Sequence, residues 1–196
     1  MEDALQAARD GATAIGLNFY PGSPRYVNFG MAAMIRAVLP AGLLKVGVFV
    51  DEEAERIRTT ARAVGLDVVQ LHGQETPFDC ETLVPLRVWK AVRVTEEFEP
   101  ARLAEYSCEA FLLDAAGEMV GGTGRTFPWG IARAAAKYGK IIVAGGLDGS
   151  NVGEAIRQAQ PWGVDASSRL ERSPGVKDPA KVQEFLSEAR RHVVGL

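Results

Sequence analysis

Five short segments of the 196-residue chain carry side chains suited to chemistry. They are Asn18-Phe19-Tyr20-Pro21-Gly22-Ser23-Pro24-Arg25-Tyr26, Gln70-Leu71-His72-Gly73, Asp114, Ala144-Gly145-Gly146-Leu147 and Asp165-Ala166-Ser167-Ser168. Asp114 follows the apolar run Phe111-Leu112-Leu113. Its carboxyl is expected to lie among apolar neighbours that disfavour the charged form, so that it holds a proton near neutrality and donates it to a leaving oxygen. The plainer role is to cap the loop that follows. Gly145-Gly146 and Ser167-Ser168 offer backbone amides at close range to an anion such as phosphate, and they serve equally well as ordinary turns. Arg25 is by default a solvated loop arginine. His72 either contacts a ligand or satisfies neighbouring backbone groups, and His192 falls in the last helix, where solvent is expected. The two cysteines, Cys80 and Cys108, have no CxxC or His-spaced pattern, and they read as small packing residues in a reducing compartment.

These segments end apolar runs rich in β-branched residues, and seven such runs are legible: Ala14–Phe19, Leu44–Phe49, Asp67–Leu71, Val88–Val92, Ala110–Asp114, Lys140–Ala144 and Gly163–Ala166. Between them lie amphipathic stretches predicted as helices near residues 3–10, 31–38, 97–105, 128–138, 150–158 and 179–194, with further helix starts at Asp51-Glu52-Glu53 and Thr76-Pro77. Runs such as Lys45-Val46-Gly47-Val48-Phe49-Val50 are apolar on both faces, as parallel strands covered by helices must be. Hydrophobic residues make up 47% of the chain, charged residues 24%, and the net charge is −3. That composition excludes disordered, collagen-like and coiled-coil classes and leaves no basic footprint for nucleic acid or a membrane surface. No window approaches the ~18 apolar residues of a membrane span, and the acidic N-terminus is unlike a targeting signal, so a cytoplasmic protein is expected.

No linker interrupts the series, so residues 1–196 read as one α/β domain, either doubly wound or a barrel. No GxGxxG follows a strand, which favours a (β/α)8 barrel of the TIM-barrel type. Such a barrel takes eight strands. The first element read here is a helix, so the expected domain lacks the first β-strand and keeps seven parallel strands. The runs at 14–19 and 163–166 then become bare edges open to self-association.

In order, the segments resemble the phosphoribosylanthranilate isomerases of tryptophan biosynthesis. The likeness rests on Phe-Tyr-x-x-Ser-Pro-Arg-Tyr at 19–26, Val-Val-Gln-Leu-His-Gly at 68–73, Leu-Leu-Asp at 112–114, Gly-Gly-Thr-Gly-Arg-Thr-Phe at 121–127, Ala-Gly-Gly-Leu at 144–147 and Pro-Gly-x-Lys-Asp at 174–178. The resemblance implies an Amadori rearrangement that opens the ribose ring of a phosphoribosylated anthranilate, with no metal and no organic cofactor. It further implies that Asp114 is the acid, that Arg25 meets the anthranilate carboxylate, and that His72 contacts substrate. Backbone amides near Gly145, Gly146, Ser167 and Ser168 would hold the phosphate.

Two departures from that pattern stand out. The cysteine base of the family, in a Lys-x-Cys-Gly-Ile-Thr segment on the first strand, has no counterpart here, so these residues are expected to be weakly active or inactive. Either a start codon lies upstream of Met1 and the gene encodes a complete isomerase, or a tail, a partner chain or a shifted helix closes the gap in a natural variant. Arg169 stands where the family commonly has glycine, and would be strained if that position needed a positive φ. A non-catalytic phosphosugar-binding or assembly barrel is the alternative of another class. A sugar-phosphate epimerase would want metal-binding histidines at several strand ends, where one candidate is present.

Overall fold

Stretches of Val, Ile, Leu and Phe flanked by glycine and charge become strands because their branched side chains fit a pleated surface buried on both faces. The computed structural model describes residues 1–115 and 127–192; positions 121–126 of the Gly-Gly-Thr-Gly segment lie outside them. One parallel sheet is built from β1 (Ala14–Asn18), β2 (Leu44–Phe49), β3 (Val68–Leu71), β4 (Val88–Val94), β5 (Ala110–Ala115), β6 (Lys140–Val143) and β7 (Gly163–Val164). Neighbours in the sheet follow chain order from β1 to β7 without reversal, the winding of a barrel and not of a doubly wound sheet. Among the described residues the strand partner of β1 is β2 and that of β7 is β6, while the tip of β1 also bridges the following loop, Asn18 to Tyr26. The ladder of β7 stops at Val164, short of the predicted Ala166, although the Asp165 amide still donates to Val143 O at 2.9 Å.

Alternation along the strands sorts the core into two layers. Val46, Val68, Trp89, Ala91, Ala110, Leu112, Ile142 and Ala144 pack together on the face that carries no helix. Intervening residues such as Phe49, Val69, Phe111 and Ile141 meet the helices on the other face. Those helices are α1 (Glu2–Arg9), α2 (Phe29–Val38), α3 (Ala54–Val64), α4 (Pro77–Thr82), α5 (Gly130–Ala135), α6 (Val152–Ala159) and α7 (Pro179–His192).

Two predicted starts work as expected. Thr76 and Asp79 form a capping box ahead of Pro77, and Asp178 Oδ1 accepts the Ala180 amide at 3.0 Å beside Pro179. Asp51 does not start a helix. It takes a left-handed conformation (φ 48°), and α3 begins three residues later behind Glu53. Residues 100–105 of the predicted 97–105 helix form a 3-10 helix, which suits a short proline-led stretch. His192 is half-buried, not solvated, because its ring packs over Gly153 and its Nδ1 meets Glu188 O at 3.0 Å. The sequence pattern also gave no sign of the antiparallel hairpin β8 (Glu171–Ser173) and β9 (Val176–Lys177), whose strands are too short for a periodic signal.

Candidate active site

Because successive strand residues alternate faces, a residue two places beyond an inward-facing one points inward at the strand tip. Val68, Gln70 and His72 therefore share a face, as do Ala110, Leu112 and Asp114, and the two rows bring His72 Nε2 to 3.3 Å from Asp114 Oδ2. Gln70, 7% exposed, places its amide nitrogen 3.0 Å from His72 Nδ1. An amide nitrogen only donates, so this arrangement assigns Nδ1 as acceptor and leaves the Nε2 proton for Asp114. Sequence reasoning offered His72 a ligand or backbone groups; its partners are in fact two side chains, and the Gln70 role was legible only from the i, i+2 spacing.

The apolar enclosure expected for Asp114 is absent. Its side chain is 30% exposed. Phe111 and Leu113, the residues that suggested enclosure, face the helix layer, since odd and even positions of a strand lie on opposite sides. Asp114 instead lies against the next loop. Gly145 and Gly146 are both left-handed (φ 80° and 66°), and a Cβ on Gly145 would come within 2.4 Å of Asp114 Oδ1 and of the Ala115 amide nitrogen. Only glycine allows this approach. Asn151 Nδ2 donates to Gly146 O at 2.8 Å and fixes the pair ahead of α6.

Ser167 and Ser168 follow β7. Lys177 Nζ donates to Ser167 O at 3.0 Å, while Ser168 lines a cleft of about 340 Å³ together with Asp148, Ser150, Arg169 and Lys181. Arg169 carries no left-handed strain: it sits in a 3-10 turn (Ser168–Leu170), and its Nε donates to Asp148 Oδ2 at 2.7 Å. Burial pushes the Asp148 carboxyl upward, but hydrogen bonds from Ser150 and Arg169 outweigh it and hold the group below its ordinary value.

Arg25 is no solvated loop residue. Its Nε and Nη2 bind the two oxygens of Glu171 at 2.7 Å each, and Lys177 Nζ reaches Glu171 Oε1 at 2.7 Å. Burial raises the Glu171 carboxyl, yet the two cations together bring it below the usual range. The hairpin thus holds the Arg25 loop, and Gly175 closes the contact, since a Cβ there would meet Pro24 O at 2.5 Å.

One rim residue, Arg93, escaped the sequence reading, and another, Asp165, was singled out there only within the Asp165–Ser168 segment and given no role. Asp165 is exposed, yet protein packed about its carboxyl raises it; the Asp114 charge adds to the rise, and His72 and Lys177 oppose it. Arg93, in register with Asp114 on β4, is also exposed. Neither cysteine is near a strand tip. Cys80 is buried in α4, and Cys108 precedes β5 at its opposite end. Among the described residues no cluster of three His, Cys, Asp or Glu side chains could hold a metal.

A parallel sheet wound in barrel order, with an acid, an imidazole and left-handed glycines gathered at its strand tips, defines an enzyme of the α/β-barrel type. The family model for N-(5'-phosphoribosyl)anthranilate isomerase matches residues 1–188, and the chain belongs to that family. An N-(5'-phosphoribosyl)anthranilate isomerase of Solibacter usitatus is 51% identical over 189 residues, which are 96% of this chain and 92% of the relative. The crystal structure of phosphoribosyl anthranilate isomerase from Thermotoga maritima superposes with a TM-score of 0.90 at 37% identity, covering 97% of this chain and 94% of that one. A crystal structure of such an isomerase in complex with reduced 1-(o-carboxyphenylamino)-1-deoxyribulose 5-phosphate gives a TM-score of 0.86 at 35% identity, covering 97% and 93%.

Proposed function

We propose that this isomerase converts N-(5-phosphoribosyl)anthranilate to 1-(o-carboxyphenylamino)-1-deoxyribulose 5-phosphate in tryptophan biosynthesis, with Asp114 as the acid. The observation that carries the reading is the contact of the Asp114 carboxyl with both His72 and the left-handed Gly145 loop. A phosphorylated sugar gripped by amides near Gly145, Gly146, Ser167 and Ser168 would lie beside a proton donor. Asp114 gives its proton to the furanose ring oxygen as the C1–O bond opens, and the nitrogen lone pair forms the C1 iminium, the nitrogen keeping its hydrogen. A base then removes the proton from C2, and the C2–H electrons form the enol-amine. The Nε2–H of His72 holds the resulting Asp114 carboxylate by hydrogen bond, and solvent returns its proton after product leaves. Arg25 takes the anthranilate carboxylate through Nη1, the guanidinium edge that Glu171 leaves free of the bonds described above.

The base is the weak point of this site. Cys80 and Cys108 both lie away from the rim, so neither is placed to act as that base. An eighth strand of the type Lys-x-Cys-Gly-Ile-Thr, seated between β1 and β7, would close the barrel and supply the thiolate. Until it is seated, the two edges support concentration-dependent self-association. No helix of the described residues is long and apolar enough to cross a membrane; the net charge of −3 argues against a nucleic-acid partner, and for a member of this biosynthetic family we propose a cytoplasmic location. The placement of both cysteines away from the rim also fits the second reading, a phosphosugar-binding barrel without catalysis. Assay of freshly generated substrate separates the two. Measurable conversion that Asp114→Asn abolishes supports the isomerase, whereas calorimetric binding of the reduced product analogue with no conversion supports the binder.

A further inference from the structure

Lys90 and Glu75 are among the few buried charged side chains of the described residues, 3% and 7% exposed. Burying an ion pair costs several kcal/mol of desolvation per charge, which tight hydrogen bonding can offset, so such a pair is weak support for stability alone. Its hydrogen bonds converge on one residue. From the helix side of the sheet, Lys90 Nζ donates to Gly73 O at 2.9 Å and Leu71 O at 3.4 Å, the two carbonyls flanking His72, and to Ala91 O and Glu75 Oε2 at 2.9 Å each. Glu75 in turn accepts the Gly73 amide on both oxygens, at 2.9 and 3.1 Å, and the Asp51 amide at 2.9 Å. The Tyr106 hydroxyl holds Glu75 O at 3.4 Å, and Asp51 Oδ1 accepts the Gln74 amide at 2.5 Å. Gly73 leaves room for this clasp, since a Cβ there would meet Asp51 Oδ1 at 2.2 Å.

We infer that the Lys90–Glu75 pair is a positioning device for proton transfer: it fixes the backbone on both sides of His72 so that Nε2 stays on Asp114. This rests on the isomerase reading for its catalytic consequence, though not for the geometry itself. A His72 bonded to Asp114 through one 3.3 Å contact loses that contact with a small backbone shift, and misplacement of about 1 Å costs rate steeply.

The test is a double-mutant cycle read by the NMR resonances of the His72 ring nitrogens. Asp114→Asn is introduced into the unchanged chain, into Lys90→Met and into Lys90→Met/Glu75→Gln; the last removes both charges, so that no uncompensated carboxylate impairs folding. The charged neighbour common to all three backgrounds is Asp165, which stays unchanged. Asp114→Asn is expected to move the His72 Nε2 resonance in the unchanged chain and to move it clearly less in both clasp variants. Turnover in the clasp variants should fall about 10- to 100-fold, with affinity for inorganic phosphate kept within about twofold. A His72 shift of equal size in all three backgrounds overturns the proposal, since a purely stabilising pair would lower the unfolding temperature and leave the His72–Asp114 coupling intact. Absence of turnover in the unchanged chain would overturn the isomerase reading instead, and the NMR cycle would still decide the positioning role.

Discussion

Gly145 shows how a residue defined by what it lacks can shape a site. Its left-handed φ of 80° disfavours any side chain, and the missing Cβ leaves room for the Asp114 carboxylate. Gly145→Ala is therefore expected to destabilise the fold by about 1–3 kcal/mol and to displace Asp114, so that both the thermal midpoint and turnover drop. A thermal scan showing an unchanged midpoint would refute this. At the same scale, the sequence identified Asp114, His72 and the glycine pair as rim residues because each ends an apolar run. It misjudged the setting of Asp114, since a contiguous apolar run says nothing of which residues share its face. Glu171 as the partner of Arg25 was out of reach altogether: they lie 146 positions apart, and no local pattern links a loop arginine to a hairpin so far along the chain.

Among the elements, the strands and most helices were legible because each carries its own signal, apolar runs for strands and caps such as Thr76-Pro77 for helices. Thr76→Ala should cost about 1 kcal/mol in urea unfolding, because the hydroxyl accepts the Asp79 amide at 3.3 Å. The N-terminal ends of β4, β5 and β6 are tied by Glu109, which binds Arg87 at 2.7 Å and Lys140 at 3.3 Å. Arg87, with help from Lys140, lowers the Glu109 carboxyl from 4.5 to about 2. A carboxylate whose folded pKa lies below its unfolded one stabilises the fold fully above the unfolded value and loses that contribution as pH falls through the folded one. Stability should thus decline between pH 4.5 and about 2, more shallowly in Glu109→Gln than in the unchanged chain. Equal slopes for both proteins in acid unfolding would contradict it. The β8–β9 hairpin left no such signal, being set by contacts with the Arg25 loop and not by its own two or three residues per strand.

The whole molecule is a sheet wound in barrel order, with β1 and β7 each paired on one side among the described residues. Unpaired ladder groups at such edges favour strand addition. Sedimentation should show a mass that rises with protein concentration, and addition of a peptide carrying Lys-x-Cys-Gly-Ile-Thr should reverse that rise and increase turnover. A monomer across the whole range would count against open edges. The most direct test of the isomerase reading is conversion of freshly made N-(5-phosphoribosyl)anthranilate at high enzyme concentration, comparing the unchanged chain with Asp114→Asn. Conversion by the unchanged chain, reduced about 10²–10⁴-fold by the substitution while the reduced product analogue binds both proteins alike, is the expected result. Equal conversion by the two proteins would show that the proton comes from elsewhere and that the strand-tip acid is not the source of the chemistry.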